Sequence, residues 1–254
     1  MDMTSKNPLT HARVPRKKVA IRKTRKDTPN LGTQARAVHT RDEIVRAAIS
    51  VFSKSGFAGG RIETISKLAK THDRLIYYYF GSKEALFVEA LKTVYKRMND
   101  AESALQVDVA QPATSLVAIV DFSWTYYLAH PEFITLLNTE NLHEGKHLKK
   151  SQRMSALVSP AVAMLDQILA EGAKQGLFRR NVNARDLYIA IASLGYFYIS
   201  NRHTLSAFLD EDLLDKDAVS HWGRFISDAI LRMVQAKPDM TEKTSAGKRR
   251  ANRV

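Results

Sequence analysis

Residues 56–86 read Gly56-Phe57-Ala58-Gly59-Gly60-Arg61-Ile62-Glu63-Thr64-Ile65-Ser66-Lys67-Leu68-Ala69-Lys70-Thr71-His72-Asp73-Arg74-Leu75-Ile76-Tyr77-Tyr78-Tyr79-Phe80-Gly81-Ser82-Lys83-Glu84-Ala85-Leu86. Ile62, Ile65 and Ala69 recur at helical spacing, and so do Ile76, Tyr77 and Phe80. That periodicity predicts two short helices, over about 62–69 and 73–80, with a tight link between them. Gly56 supplies a stop for the helix before them, and Gly81 for the second of the pair. Ser82 is placed to cap a longer helix, with Glu84 in the first turn where the helix dipole favours a carboxylate. Two short helices joined by a tight link behind a longer helix describe a helix-turn-helix.

Working outward, Thr40-Arg41-Asp42-Glu43 has the form of a capping box, so the leading helix is expected to open at Thr40. Ile44, Ala48, Val51 and Phe52 give it a buried stripe. Downstream, Leu86, Val88, Leu91, Val94, Tyr95 and Met98 continue one helix to about 98. Pro112 and Pro131 suit the first turns of helices over about 112–129 and 131–141. A helix over about 147–175 should be kinked or split at Pro160, with Gly172 and Gly176 punctuating its end. Two more fit 184–200 and 215–236. Sustained period-2 alternation is absent. The expected class is therefore all-α, with about nine helices. The expected organisation is a disordered basic arm over 1–38, a helix-turn-helix domain over 39–98, a larger helical domain over 99–236 and a disordered basic tail over 237–254.

Charge supports a polyanionic partner. The 254 residues carry a formal net charge of +13. Residues 1–41 hold 11 basic and 2 acidic side chains, and residues 237–254 hold 6 and 2. The 195 residues between them carry 22 of each sign. A neutral body with two basic ends suggests a polyanion met by flexible arms. The absence of cysteine excludes disulfide scaffolds, Cys-ligated zinc modules and thiol enzymes. Leu187 to Ile199, the longest apolar run, is broken by Ser193 and Gly195 and is too short to span a bilayer. The N-terminus lacks the apolar stretch of a secretory signal, so no membrane association and a cytoplasmic location are expected.

The segment Tyr77-Tyr78-Tyr79-Phe80-Gly81-Ser82-Lys83-Glu84-Ala85-Leu86-Phe87 resembles, in order and spacing, the signature that closes the DNA-binding domain of TetR/AcrR-family transcriptional regulators. The resemblance is clear over about residues 40–98. It implies a homodimer that binds palindromic double-stranded DNA, most often as a repressor, and a C-terminal domain that answers to a small-molecule effector. The chain departs from the family where Thr or Ser is common (Gly60 and Arg61), at the turn glycine (Lys70), at the residue capping the second helix (His72) and at a glycine within it (Arg74). These departures bear on the DNA sequence read rather than on the fold. His72, Asp73, Arg74 and Tyr78 are placed for the groove, Thr71 beside them is a further candidate DNA contact, and Arg74 suits a bidentate contact to guanine. Asp73 reads equally well as a helix cap. By resemblance, Arg61, Tyr77 and Lys83 would grip phosphates.

In the C-terminal domain, Trp124, Tyr126, Tyr127, Leu128, Phe133, Leu136 and Leu137 cluster around the Pro131 break. The helix over 117–128 is apolar nearly all round and is expected to be central. Each of these residues alone reads as core packing. Together with Asp121, Asn138 and Asn141 they also fit an apolar pocket with a few orienting polar groups. The candidate pocket set is Trp124, Tyr127, Phe133, Leu137 and Asn141. By resemblance the last two helices form the dimer interface, with Ile189, Leu194, Phe197, Trp222, Phe225 and Ile226 as candidates. No metal or cofactor is implied. One literal enzyme motif exists, His143-Glu144-Gly145-Lys146-His147, which spells the H-E-x-x-H of zinc metalloproteases. Its chemistry needs both histidines on one helical face and a third ligand, and Gly145 weakens the helix. A helix-turn-helix protein without small-molecule control is the other alternative.

Overall fold

The computed structural model describes residues 31–149 and 159–236, which form eleven helices. The basic stretches 1–30 and 237–254, expected to be arms, lie outside the described residues. Helix α1 spans Leu31–Gly59 and so begins upstream of Thr40. The capping box is not formed. Thr40 sits inside the helix, and its hydroxyl donates to the Arg36 carbonyl at 2.9 Å. Glu43 instead accepts from Arg46 at 2.6 Å. Ala35, Arg36 and Ala37 are strong helix formers with no proline after Pro29, so the helix extends through residues expected to be disordered. A mid-helix threonine then satisfies its hydroxyl on the preceding turn.

Gly56 breaks α1 with φ 65° and ψ −178°, and a final turn runs on to Gly59. Helices α2 (Ile62–Leu68) and α3 (Asp73–Phe80) follow. Lys70 takes φ 50° in the turn between them, and the Thr71 amide donates to the Ser66 carbonyl at 2.9 Å to close it. Gly81, at φ 78°, ends α3. The Ser82 hydroxyl accepts from the Ala85 amide and caps α4 (Lys83–Ser103). Ile44, Ala48, Phe52, Ile65, Ile76, Leu86 and Phe87 meet in the interior of this first domain, all fully buried.

The second domain comprises α5 (Pro112–Ala129), α6 (Pro131–Leu142), α7 (Lys146–Lys149), α8 (Pro160–Lys174), α9 (Ala184–Ser200), α10 (Arg202–Leu209) and α11 (Lys216–Val234). Pro160 is the first residue of α8, so the expected kinked helix over 147–175 is two separate helices. Helix α10 had no counterpart among the expected elements. It is eight residues long and buries none of them, which leaves little periodic signal. Helix α5 is central, packed against α8, α9 and α11. Leu116, Ile119, Val120, Trp124, Tyr126 and Tyr127 make up its buried surface. Residues after α8 return to the end of α11 through a single antiparallel bridge, Phe178 to Gln235. Among the described residues no helix is long and apolar enough to cross a membrane.

Candidate functional site

Helix α3 presents the reading surface. Ile76, its inward residue, is fully buried, while His72, Arg74, Tyr77 and Tyr78 are exposed, Tyr78 by 79%. The core side of α3 is thus satisfied by one aliphatic and the flanking Phe80, and the opposite side carries exposed polar and aromatic groups. His72 precedes the helix in extended conformation and its side chain makes no cap hydrogen bond. Asp73 occupies the first turn, and Thr71 is half-buried beside it. Arg61 is the exposed residue before α2, likewise without a side-chain cap bond. Lys83 opens α4, but its ammonium is engaged. It donates to the Ala58 carbonyl at 3.3 Å and lies 4.9 Å above the Phe57 ring. Arg41 braces the far end of α3, stacking 5.2 Å over Phe80 while it pairs with Glu89 of α4 at 2.6 Å.

The second domain holds a cavity of about 540 Å³. Tyr127, Phe133, Leu137 and Asn141 line it together, four of the five residues expected there. Trp124 does not. It stands edge-on to Tyr198 at 5.3 Å, and its indole faces Gly223 of α11. Trp124 is instead taken up by the contact of α5 with α9 and α11. Asp121 is also turned out, accepting from the Ser227 hydroxyl at 2.8 Å. Asn138 stands behind the wall, where its carbonyl accepts from the Tyr196 and Ser200 hydroxyls.

Sequence reading missed Tyr95, Tyr188 and Tyr196, which bring three more phenols to the same cavity. Burial pushes the Tyr95 hydroxyl up to about 12, with Tyr188, Tyr196 and Glu140 adding to it, and burial raises Tyr127 and Tyr188 as well. These groups therefore remain neutral hydrogen-bond donors. Residues 188, 192 and 196 share one face of α9 at four-residue spacing, a signal present in the sequence. Behind Ser159, which lines the cavity, Glu102 is fully buried. It accepts from the Ser159 hydroxyl at 2.5 Å, and its other oxygen has no partner among the described residues. Desolvation raises its carboxyl above the ordinary value.

Among the residues expected at a dimer interface, Ile189, Phe197 and Phe225 are about half exposed. Ile189 also lines the cavity. Leu194 is half-buried, and its carbonyl accepts from the Trp222 indole at 3.3 Å. Trp222 stacks on Phe225 at 5.1 Å and on Tyr198 at 5.0 Å, so one aromatic column runs from the core to the surface of α11. Ile226 is a correction. At 2% exposure it belongs to the core, because it shares the inward face of α11 with Ile230 and Val234.

The H-E-x-x-H stretch does not form the helix that zinc chemistry needs. Glu144 and Gly145 have φ of 56° and 69°, so the motif straddles a turn between α6 and α7. His147 is committed to Glu140, and His143 Nδ1 donates to the Thr139 carbonyl at 2.7 Å.

Comparison with known proteins agrees with this arrangement. Residues 44–90 match the family model described as bacterial regulatory proteins, tetR family, and residues 112–230 match a tetracyclin repressor-like C-terminal domain. The HTH-type transcriptional repressor NicS of Pseudomonas putida is 53% identical over 206 residues, covering 81% of this chain and 97% of the relative. The HTH-type transcriptional repressor SCO4008 of Streptomyces coelicolor is 28% identical over 61% of this chain and 76% of its own length. In structure, the fatty acid degradation regulator FadR of Bacillus halodurans superposes with a TM-score of 0.56 at 19% identity, over 75% of this chain and 94% of its own. A TetR-like regulator from Rhodococcus sp. RHA1 gives 0.52 at 17% identity, over 76% and 94%. The chain belongs to the TetR family of bacterial transcriptional regulators, and it is a DNA-binding regulator rather than an enzyme.

Proposed function

We propose that the protein is a repressor that binds a palindromic operator as a homodimer and leaves it when a small molecule occupies the cavity of the second domain. The observation that carries this reading is the course of α4. The helix begins against the reading head at Lys83 and passes the cavity near its other end, where Tyr95, Met98 and Asn99 are lining residues. A ligand that prefers one position of α4 over another shifts the reading head by that preference alone. The repressor named NicS, similar over nearly its whole length, supports repression as the sense of control. Exposed Phe197 and Phe225, continuous with the Trp222 column, support a helix-pair interface between two copies.

In this reading Arg74, His72 and Tyr78 touch bases, while Arg61, Tyr77 and Thr71 hold the backbone. Lys83 reaches phosphate only by leaving Ala58. Footprinting on the DNA flanking its own gene should reveal a two-fold symmetric protected site, and sedimentation should give a dimer at the same concentrations. A thermal-shift screen of small metabolites should then yield compounds that both stabilise the protein and release that DNA. Stabilising compounds with no effect on DNA binding, or a complete screen without any, would favour a helix-turn-helix protein without small-molecule control.

A further inference from the structure

The His143–His147 turn, useless as a zinc site, occupies a place in the fold that demands another role. Glu140, on α6, is 1% exposed and His147 is 5% exposed. One Glu140 oxygen accepts from the His147 and Leu148 amides at 2.9 and 2.8 Å, and the other from the His147 ring Nδ1 at 2.7 Å. The carboxylate thereby fixes both the backbone and the ring of the turn. The His147 ring packs 4.5 Å from Phe57 and 5.1 Å from Phe87, and His143 lies edge-on to Phe57 at 5.7 Å. Phe57 follows directly on the Gly56 break, in the last turn before α2. It is also the ring under Lys83. Beside Glu140 on the same helix, Phe133, Leu137 and Asn141 line the cavity. One helix thus carries the cavity wall and, next to it, a buried hydrogen-bonded clamp.

We propose that Glu140 and His147 are positioning residues that make this turn a joint, transmitting displacement of α6 at the cavity to Phe57 and the reading head. This rests on the reading of the cavity as the effector site. A ligand pressing on Leu137 and Asn141 moves Glu140 with them, because a helix moves as a rigid body. Glu140 carries the turn with it through two hydrogen bonds to His147 and one to the Leu148 amide, and His147 abuts Phe57. A buried carboxylate held by three hydrogen bonds is stiff, since losing any one of them leaves a desolvated group poorly paired. Motion therefore passes along it rather than being absorbed. Phe57 then tilts the α1–α2 connection and takes Lys83 with it.

The chain has no cysteine, so Lys67→Cys on α2 and Asp166→Cys on α8, both exposed, accept a pair of spin labels without background. Labelled protein diluted with unlabelled protein reports the distance from the reading head to the second domain. His147→Phe retains a ring against Phe57 and Phe87 but cannot bond Glu140, and His147→Ala with Glu140→Ala removes the clamp entirely. The expected result is a narrow distance distribution in the parent and a broadened one in both variants, with helical content unchanged. An unchanged width in either folded variant overturns the joint, whatever the cavity does. Ala192→Trp fills the cavity and serves as the second arm. In the parent it is expected to weaken binding to the footprinted DNA at least tenfold, and in the His147→Phe background less than twofold. Equal weakening in both backgrounds also overturns the joint. No weakening in the parent counts instead against the cavity reading, and the label widths alone then decide the joint.

Discussion

Arg74 shows how much a single side chain decides. It stands exposed on α3, one residue past the helix start. Replacing it with alanine should weaken operator binding by about 1–3 kcal/mol if it makes one good base contact. Anisotropy titrations against operator and scrambled DNA test this, and equal losses on both would reassign Arg74 to phosphate. Lys70 is the counterpart in the turn. It holds φ 50° where a side chain is penalised, so Lys70→Gly relieves strain, while the extra freedom of the unfolded chain offsets part of the gain. The net stabilisation should be under about 1 kcal/mol, read as a small rise in melting temperature. Glu102 makes a prediction with a definite sign. Desolvation raises its folded carboxyl above the ordinary 4.5. The protonated form is thus favoured in the folded state. Its contribution is fully present below the unfolded value and is lost as pH rises through the folded one. Melting temperature should therefore fall from about pH 4.5 upward in the parent relative to Glu102→Gln. Parallel pH profiles would show that Glu102 titrates normally.

At the scale of elements, the start of α2 explains one departure from the family pattern. A Cβ on Gly60 would lie 2.4 Å from the Phe52 ring, so the pocket that Thr or Ser would occupy is filled by Phe52. Gly60→Ala should cost about 1–3 kcal/mol through overpacking, measured by chemical denaturation. A neutral substitution would mean that Phe52 is free to move. The elements around this point were legible because their signals are local: Gly56, Gly81, Ser82, Pro112 and Pro131 each act within a turn of their own position. The start of α1 was not. Thr40-x-x-Glu43 has the composition of a cap, yet whether it caps depends on whether the preceding residues are helical, and Ala35–Ala37 are. Four of the five pocket residues were found because they flank one proline break. Tyr95, Tyr188 and Tyr196 were not, because convergence of α4 and α9 on the cavity that α5 and α6 also line is a property of packing. Trp124 and Ile226 failed for a related reason: a large apolar side chain announces burial, and only the packing shows against what.

For the whole molecule, the separation of charge from specificity becomes a matter of geometry. Residues 42–98 carry 10 basic and 6 acidic groups, and residues 99–236 carry 12 and 16. The body is mildly polarised toward DNA and has little long-range attraction of its own. Residues 1–30 add nine basic and two acidic groups immediately before α1, which starts at Leu31 in the domain that holds the reading helix. A chain of that charge joined there is positioned to neutralise phosphates flanking the operator, with no part in selecting bases. Deleting residues 1–30 leaves α1 whole, so the reading head is untouched. Every phosphate that the arm neutralises should contribute about 0.9 to the slope of log affinity against log salt, and the deletion removes that share. The affected binding should be operator and random DNA alike, so the ratio between them stays constant while both weaken. A deletion that leaves the slope unchanged removes the arm from the binding account. One that lowers the ratio would mean instead that the arm reads sequence, as an arm inserted into the minor groove would do.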